Sequence, residues 1–522
     1  MRGKSPIWPA LGAAVRAECS ARGLPVLGSG ALTRRCVLGA LAAGATLPLT
    51  GCFAPPRSER PVKVAIVGAG LAGLNALRLL TAAGIEARVY EARGRVGGRV
   101  FTSRSGPVPA DDGGQFINSD HADVLEMARA NGLRLIDRST FAGKTLGTAG
   151  GQRIPSDLLV RSLAGLAARI AEDAAALEAD PEAALRKIDA QSVTQYLDAA
   201  KVPPLPRALI EATLRTEFGQ DPDEASAIEL IWNLPVIEKD DLKLISSSDE
   251  RFVLEGGSST LVEALAGPLA ARIETGRALV SVRPDSGGVR LAFASGETVH
   301  ADSAIITVPA PLMRTIDFGP MLPQHWRDYA AEIGCGRNEK LNAAYEGRPW
   351  TKTWGRSGDL WPVDGPFAEA WDAGTTRSET GLLTYFMGGA QCDRALAKDA
   401  GMLRAEFEAA ADTACPGLTE AGLPWQRRTA WGRDPFARGA YSCFRPGQLT
   451  RFSSLFWLEE EGKATQIPAV GPLVFAGEHL SDAWPGYMNG GLQTGRLAAQ
   501  TVLAALGRAI DTPGAVPQSA AP

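Results

Sequence analysis

Histidine is scarce in this chain. Its 522 residues include four, His121, His300, His325 and His479, and they are scattered without metal-ligand spacing. The seven cysteines form no C-x-x-C pair, so the clustered ligands of a structural zinc are missing and no metal is expected. Positive charge is not in excess either. Lys and Arg total 54 against 58 Asp and Glu, a net charge of −4, which gives nucleic-acid binding no support from bulk electrostatics. No apolar run is long enough to cross a bilayer as a stable helix. What remains is an ordinary globular composition, 45% hydrophobic and 21% charged, long enough for roughly two to four domains around a large core.

The densest information lies between Val62 and Phe101. Val62 to Val67 is an apolar run whose β-branched content suits a buried parallel strand. Gly68, Gly70 and Gly73 follow in the spacing G-x-G-x-x-G. Leu71, Leu74, Leu77 and Leu80 then recur at helical spacing, with Gly84 at the expected helix end. A second strand, Glu86 to Tyr90, runs into an acid, Glu91, 18 residues after Gly73. Such a unit binds a dinucleotide. Gly68 allows the tight turn, Gly70 admits the pyrophosphate, Gly73 lets helix and sheet pack closely, and Glu91 accepts from a ribose hydroxyl. The helix N-terminus offers free N–H groups to the anion. Glycine also marks plain turns; strand, helix and terminal acid in register are what carry the reading.

After Glu91 comes a basic, glycine-rich loop with Arg93, Arg95, Gly97, Gly98 and Arg99. Its arginines suit phosphate, and its glycines let the backbone lie against a ring system. This segment resembles the flavin amine oxidase superfamily, which includes monoamine, polyamine and L-amino acid oxidases. The resemblance implies FAD.

The first 52 residues look like an address. Arg34-Arg35 precedes a small-residue apolar run, Cys36 to Leu49, that is too short to span a membrane and suits a signal h-region. The pair resembles a twin-arginine export signal, and Leu49-Thr50-Gly51-Cys52 resembles a lipobox with Cys52 as the lipid attachment site. The expectation is an exported protein, periplasmic or anchored as a lipoprotein. Folding before export also argues against disulfides among Cys335, Cys392, Cys415 and Cys443.

Along the remaining chain, Asp111 to Ile117 resembles the family's D-x-G-G turn near the flavin, which places Gly114 and Gln115 at the cofactor. Residues 118 to about 245 are rich in alanine and leucine and punctuated by prolines, a mostly helical insert. Strands are expected at Ala278 to Val282, Val289 to Phe293 and Ala304 to Val308, with Val280 beside the adenine by its position in the family. Lys340 matches the family lysine that holds a water against flavin N5 and assists reoxidation. A buried ammonium there would stabilise developing negative charge.

The C-terminal stretch carries the second signal. Trp431-Gly432-Arg433 leads to Arg438-Gly439-Ala440-Tyr441, and a strand near Leu473 runs into Gly477-Glu478-His479. Trp484-Pro485-Gly486-Tyr487-Met488-Asn489-Gly490-Gly491 is similar to the monoamine oxidase W-S-G-Y-M-E-G-A. By that resemblance Tyr441 and Tyr487 form the aromatic cage facing the flavin, Glu478 binds the cofactor's ribityl or phosphate region, and Trp431 and Gly477 lie against the cofactor. Two departures matter. Monoamine oxidases attach FAD through a cysteine just before the first cage tyrosine, and here that position is Ala440, so non-covalent FAD is expected. L-amino acid oxidases carry an arginine for the substrate carboxylate after the D-x-G turn, and here Gln115-Phe116 stands there.

The expected fold is α/β, with a Rossmann-like FAD domain assembled from residues 60–117, 249–311 and 432–508. An interleaved α+β substrate domain takes residues 118–248 and 312–431, and residues 509–522 form a disordered tail. The expected reaction is oxidation of a primary or secondary amine to an imine, with O₂ taking the electrons as hydrogen peroxide. The alternatives are an L-amino acid oxidase, an amine dehydrogenase with a periplasmic acceptor, and a non-catalytic flavin-binding lipoprotein. The oligomeric state is left open, a homodimer included.

Overall fold

The computed structural model describes residues 7–22, 62–232, 235–238, 241–244 and 249–508. Two sheets organise the chain. The first has six strands in the order Ile273–Glu274, Glu86–Tyr90, Lys63–Val67, Ser303–Ile306, Leu473–Phe475 and Ala469–Val470. All neighbours are parallel except the last pair. Its centre, Val64 to Val67 against Ser303 to Ile306, is buried on both faces, as the unbroken apolar runs require. The helix Leu71–Ala82 and the terminal helix Met488–Ala505 pack together beside it. A three-stranded antiparallel sheet, Leu279–Asp285, Gly288–Phe293 and Thr298–Ala301, lies before the returning strand Ser303–Ile306. The six-stranded sheet is the α/β, Rossmann-like arrangement that the sequence leads one to expect.

The second sheet has seven strands in the order Gly422–Arg428, Asn338–Tyr345, Gly381–Gly388, Glu369–Asp372, Asp359–Pro362, Thr145–Ala149 and Gln152–Arg153. It carries a separate core around Tyr345, Trp350, Trp354, Tyr385 and Phe407. Both long strands, Asn338–Tyr345 and Gly381–Gly388, are buried along all eight residues. Sequence periodicity gives no hint of the first, because its polar opening Asn338-Glu339-Lys340 faces other protein rather than water.

The insert after residue 118 is helical as expected, with helices such as Ala164–Ala179 and Pro204–Phe218. It also lends Thr145–Ala149 to the seven-stranded sheet. One strand of the 249–311 segment, Phe252–Leu254, pairs with Leu135–Asp137 of that insert.

Arg34-Arg35, the apolar run to Leu49, Cys52 and residues 509–522 lie outside the described residues. Inside the segment read as a leader, Ile7–Arg22 is a helix. It buries Ile7, Leu11, Val15 and Cys19, one stripe at four-residue spacing, in a core shared with Leu159, Leu163, Leu166 and Ile170. Among the described residues, no helix is long and apolar enough to cross a membrane.

Candidate active site

The nucleotide end of the site is built by close approach. Gly68 has φ of +105°, a conformation other residues adopt only with strain, and a Cβ there would stand 2.5 Å from Thr307 Oγ1. A Cβ on Gly73 would stand 1.9 Å from the Gly68 carbonyl oxygen, so the helix reaches the first loop only because Gly73 has none. Gly70, by contrast, has nothing within 4 Å of its Cβ position. Glu91 is buried and accepts from two backbone N–H groups, Ala69 N at 2.7 Å and Arg93 N at 2.8 Å. It thus ties the two nucleotide loops together while keeping lone pairs for hydroxyls. Arg93 pairs with Asp434 at 2.5 Å, and its Nη2 is buried without a hydrogen-bond partner.

At the other end stands Lys340, 6% exposed, whose strand aims it at the Asp111–Gln115 turn. Its Nζ donates to Asp111 O at 3.0 Å, Gly113 O at 2.8 Å and Gln115 Oε1 at 3.2 Å. Burial lowers its pKa to about 8, while Asp111, Asp112 and Glu250 oppose that fall. Gln115 Oε1 also accepts from Trp371 Nε1 at 3.3 Å, and its Nε2 donates to Ala373 O at 3.3 Å. Strand register sets Lys340 opposite Phe386 and Phe386 opposite Glu369, so these three side chains form a row on one face of the seven-stranded sheet.

The two tyrosines stand just before the strand Ser442–Cys443 and just before the terminal helix Met488–Ala505. The Tyr441 hydroxyl donates to the Thr216 carbonyl, and a Cβ on Gly486 would stand 3.4 Å from the Tyr441 ring. Tyr487 packs on His121 edge-on, 4.9 Å between centroids, and His121 in turn meets Trp484 at 5.2 Å. Burial drives the His121 pKa down to about 3, so it is a neutral ring whose Nδ1 accepts from Asn118 N. Burial also raises the Tyr441 phenol well above its ordinary range, with Glu217 adding to the effect.

One cavity of about 560 Å³ joins these parts. Gly68, Gly70, Glu91, Arg93, Gly97, Gly98 and Val280 line it beside the glycine loop. Arg99 and Glu478 line it as a bonded pair beside Ala440, and Gly114, Gln115, Trp431, Gly477, Lys340, Tyr441 and Tyr487 complete the wall. Gly73 lies behind the wall, where it serves packing. The residues fit a flavin dinucleotide. Open space at Gly70, an orphaned guanidinium nitrogen on Arg93, and Val280 left 42% exposed beside them all suit a bound nucleotide. Sequence reasoning passed over Thr307, Trp371, Phe386, Glu250 and Glu369, which also line the cavity. Only Glu369-Ala370-Trp371-Asp372 left a trace, a short alternation of small and large side chains, and nothing in it names a function.

The sequence profile of the flavin-containing amine oxidoreductases matches residues 71–503. AofH of Mycobacterium tuberculosis, whose name places it among flavin-containing monoamine oxidases, is 28% identical over 459 residues, 85% of this chain and 97% of its own length. A pseudooxynicotine dehydrogenase from Pseudomonas sp is 24% identical, over 88% of this chain and 89% of its own. The solved cyclohexylamine oxidase of Brevibacterium oxydans superposes with a TM-score of 0.74 at 24% identity, over 86% of this chain and all of its own. Cavity, nucleotide loops and profile therefore agree that this chain belongs to the flavin-containing amine oxidoreductase family, the enzymes that oxidise amines with FAD.

Proposed function

We propose that the protein oxidises a primary or secondary amine lacking an α-carboxylate, holds FAD without a covalent bond, and passes the electrons to O₂. The observation that carries this is the convergence of Tyr441, Tyr487 and Lys340 on one cavity with the nucleotide loops. Tyr441 and Tyr487 orient the amine nitrogen between their rings. Tyr441 keeps its proton, since its hydroxyl already donates to Thr216 and burial favours the neutral phenol. No lining side chain need act as a strong base if the amine binds neutral. Bound FAD supplies the hydride acceptor and then the reductant for O₂, while water hydrolyses the released imine to a carbonyl compound.

Non-covalent binding is supported by Ala440 in the cavity wall and by the absence of cysteine among its described lining residues. Gln115, engaged with Lys340, Trp371 and Ala373, stands where an arginine for a substrate carboxylate would, which favours amines over amino acids. The test pairs each amine with the amino acid of the same side chain, phenethylamine with phenylalanine and isopentylamine with leucine. Hydrogen peroxide from the amines alone is the expected result; equal or better turnover of the amino acids would reverse the assignment.

A second reading concerns the acceptor, because one relative is named a dehydrogenase. Reduced enzyme that reoxidises faster with a cytochrome than with air-saturated buffer would favour it. Residues 1–52 are proposed as an export leader, supported by Arg34-Arg35 and the run before Cys52. Fractionating cells that express the wild type and an R34K/R35K variant, with mass analysis of the N-terminus, tests that. Retention of the wild type in the cytoplasm at full length would refute it.

A further inference from the structure

Glu478 does not sit as a carboxylate kept free for a ligand. Its Oε2 accepts from Gly486 N at 2.6 Å and from Ser442 Oγ at 2.8 Å. Oε1 accepts from Ser442 N at 3.3 Å and from Arg99 Nη1 at 2.8 Å. The same Arg99 nitrogen donates to Ala440 O at 2.6 Å. Ala440 O and Ser442 N belong to the two peptide groups that flank Tyr441, so both of that residue's peptides are held by one ion pair. Gly486 N lies one peptide before Tyr487. Glu478 is buried, at 8% exposure, and Arg99 is half-buried, a setting in which charge-assisted bonds are strong and directional. Burial pushes the Glu478 carboxyl up, but the Arg99 charge and the hydrogen bonds from Ser442 and Gly486 outweigh it and hold it below its ordinary value.

We propose that the Arg99–Glu478 pair is the positioning element of the tyrosine cage, one clamp that sets the spacing of Tyr441 and Tyr487. Resting on the amine-oxidation reading, it gives Glu478 a role other than gripping the cofactor. The two rings come from loops far apart in the chain, Tyr441 held also by Gly336 and Thr216 on its own side, and a bond network reaching both loops is needed to relate them. A clamp that grips both backbones is such a network. A misplacement of about 1 Å in such a site costs on the order of 100-fold in rate.

The test uses the FAD-loaded protein with Glu478→Gln and, since that variant strands a buried Arg99 charge, Ser442→Ala as a milder one that keeps the ion pair. Three quantities are read: FAD per chain, the limiting rate of anaerobic flavin reduction by amine, and the fluorescence of bound flavin, which nearby tyrosines quench. Each variant is also made in a Tyr441→Ala/Tyr487→Ala chain. The expectation for E478Q is full FAD content, brighter flavin and a reduction rate down about 100-fold, with about 5-fold for S442A. In the chain without the cage, the same substitutions change neither fluorescence nor residual rate by more than about 2-fold, because coupled residues are non-additive. FAD lost in proportion to activity, or equal effects in both backgrounds, would overturn the clamp. If the wild type is bleached by no amine, the amine reading fails, and flavin fluorescence still decides the clamp.

Discussion

Lys340 directs three N–H donors at Asp111 O, Gly113 O and Gln115 Oε1, so its ammonium is a knot in the structure as well as a charge beside the flavin site. Lys340→Met should therefore slow reoxidation and also cost about 3 kcal/mol in urea unfolding, since buried acceptors lose their donor. A loss below about 1 kcal/mol would show that the knot is slack. Two of the four histidines, His121 and His479, are held neutral by burial, at about 3 and about 4 against an ordinary 6.5. Unfolding lets them take up protons below 6.5, so stability is complete above that value and falls as pH drops through the window. The loss between pH 6.5 and 5.5 is about 1 kcal/mol per histidine. His121→Phe keeps an aromatic edge against Tyr487 and should reduce the loss over this window by about 1 kcal/mol in thermal or urea unfolding; an unchanged loss would mean that His121 titrates freely. At this scale the sequence was legible where a motif named a residue, as with Glu91 or Tyr487. It was silent on His121 and Trp371, whose importance comes from neighbours hundreds of positions away.

The opening strand, loop and helix separate two jobs that one glycine motif mixes. Gly73→Ala would drive a Cβ into the Gly68 carbonyl and should leave little folded protein. Gly70→Ala meets nothing in the protein, so the chain should fold with its far-UV spectrum intact yet fail to retain FAD. FAD retention by G70A would mean that the pyrophosphate does not pass there. Parallel strands such as Lys63–Val67 and Ser303–Ile306 are readable because both faces are apolar. Asn338–Tyr345 was not readable, because a strand that presents Asn338, Lys340 and Asn342 to buried partners breaks the rule that polar means exposed. Glu478 was legible only in part: its motif pointed to the cavity, which it lines, and its hydrogen bonds to the two loops beside it had no signal in the sequence.

At the scale of the whole molecule, the six-stranded sheet, assembled from separated segments, and the seven-stranded sheet border one cavity. The helix Ile7–Arg22 packs on the helical insert that follows residue 118. If processing removes residues 1–51, the face of Leu159, Leu163, Leu166 and Ile170 is uncovered. A chain beginning at Cys52 should then bind more of an apolar dye and melt lower than the full-length chain; equal dye binding would show that the helix adds nothing to that face. The fold class was legible from two motif clusters at the ends of the chain, whereas the sheet between them was not, because its pairing joins strands that no local pattern links. The central claim is that the cage takes a neutral amine and delivers its hydride without a protein base. Its most direct test is the pH dependence of anaerobic flavin reduction by two amines of different basicity. The account predicts that the rising limb of the second-order reduction rate moves with the amine's own pKa. A limb fixed at one pH for both amines, or no bleaching by either, would contradict it.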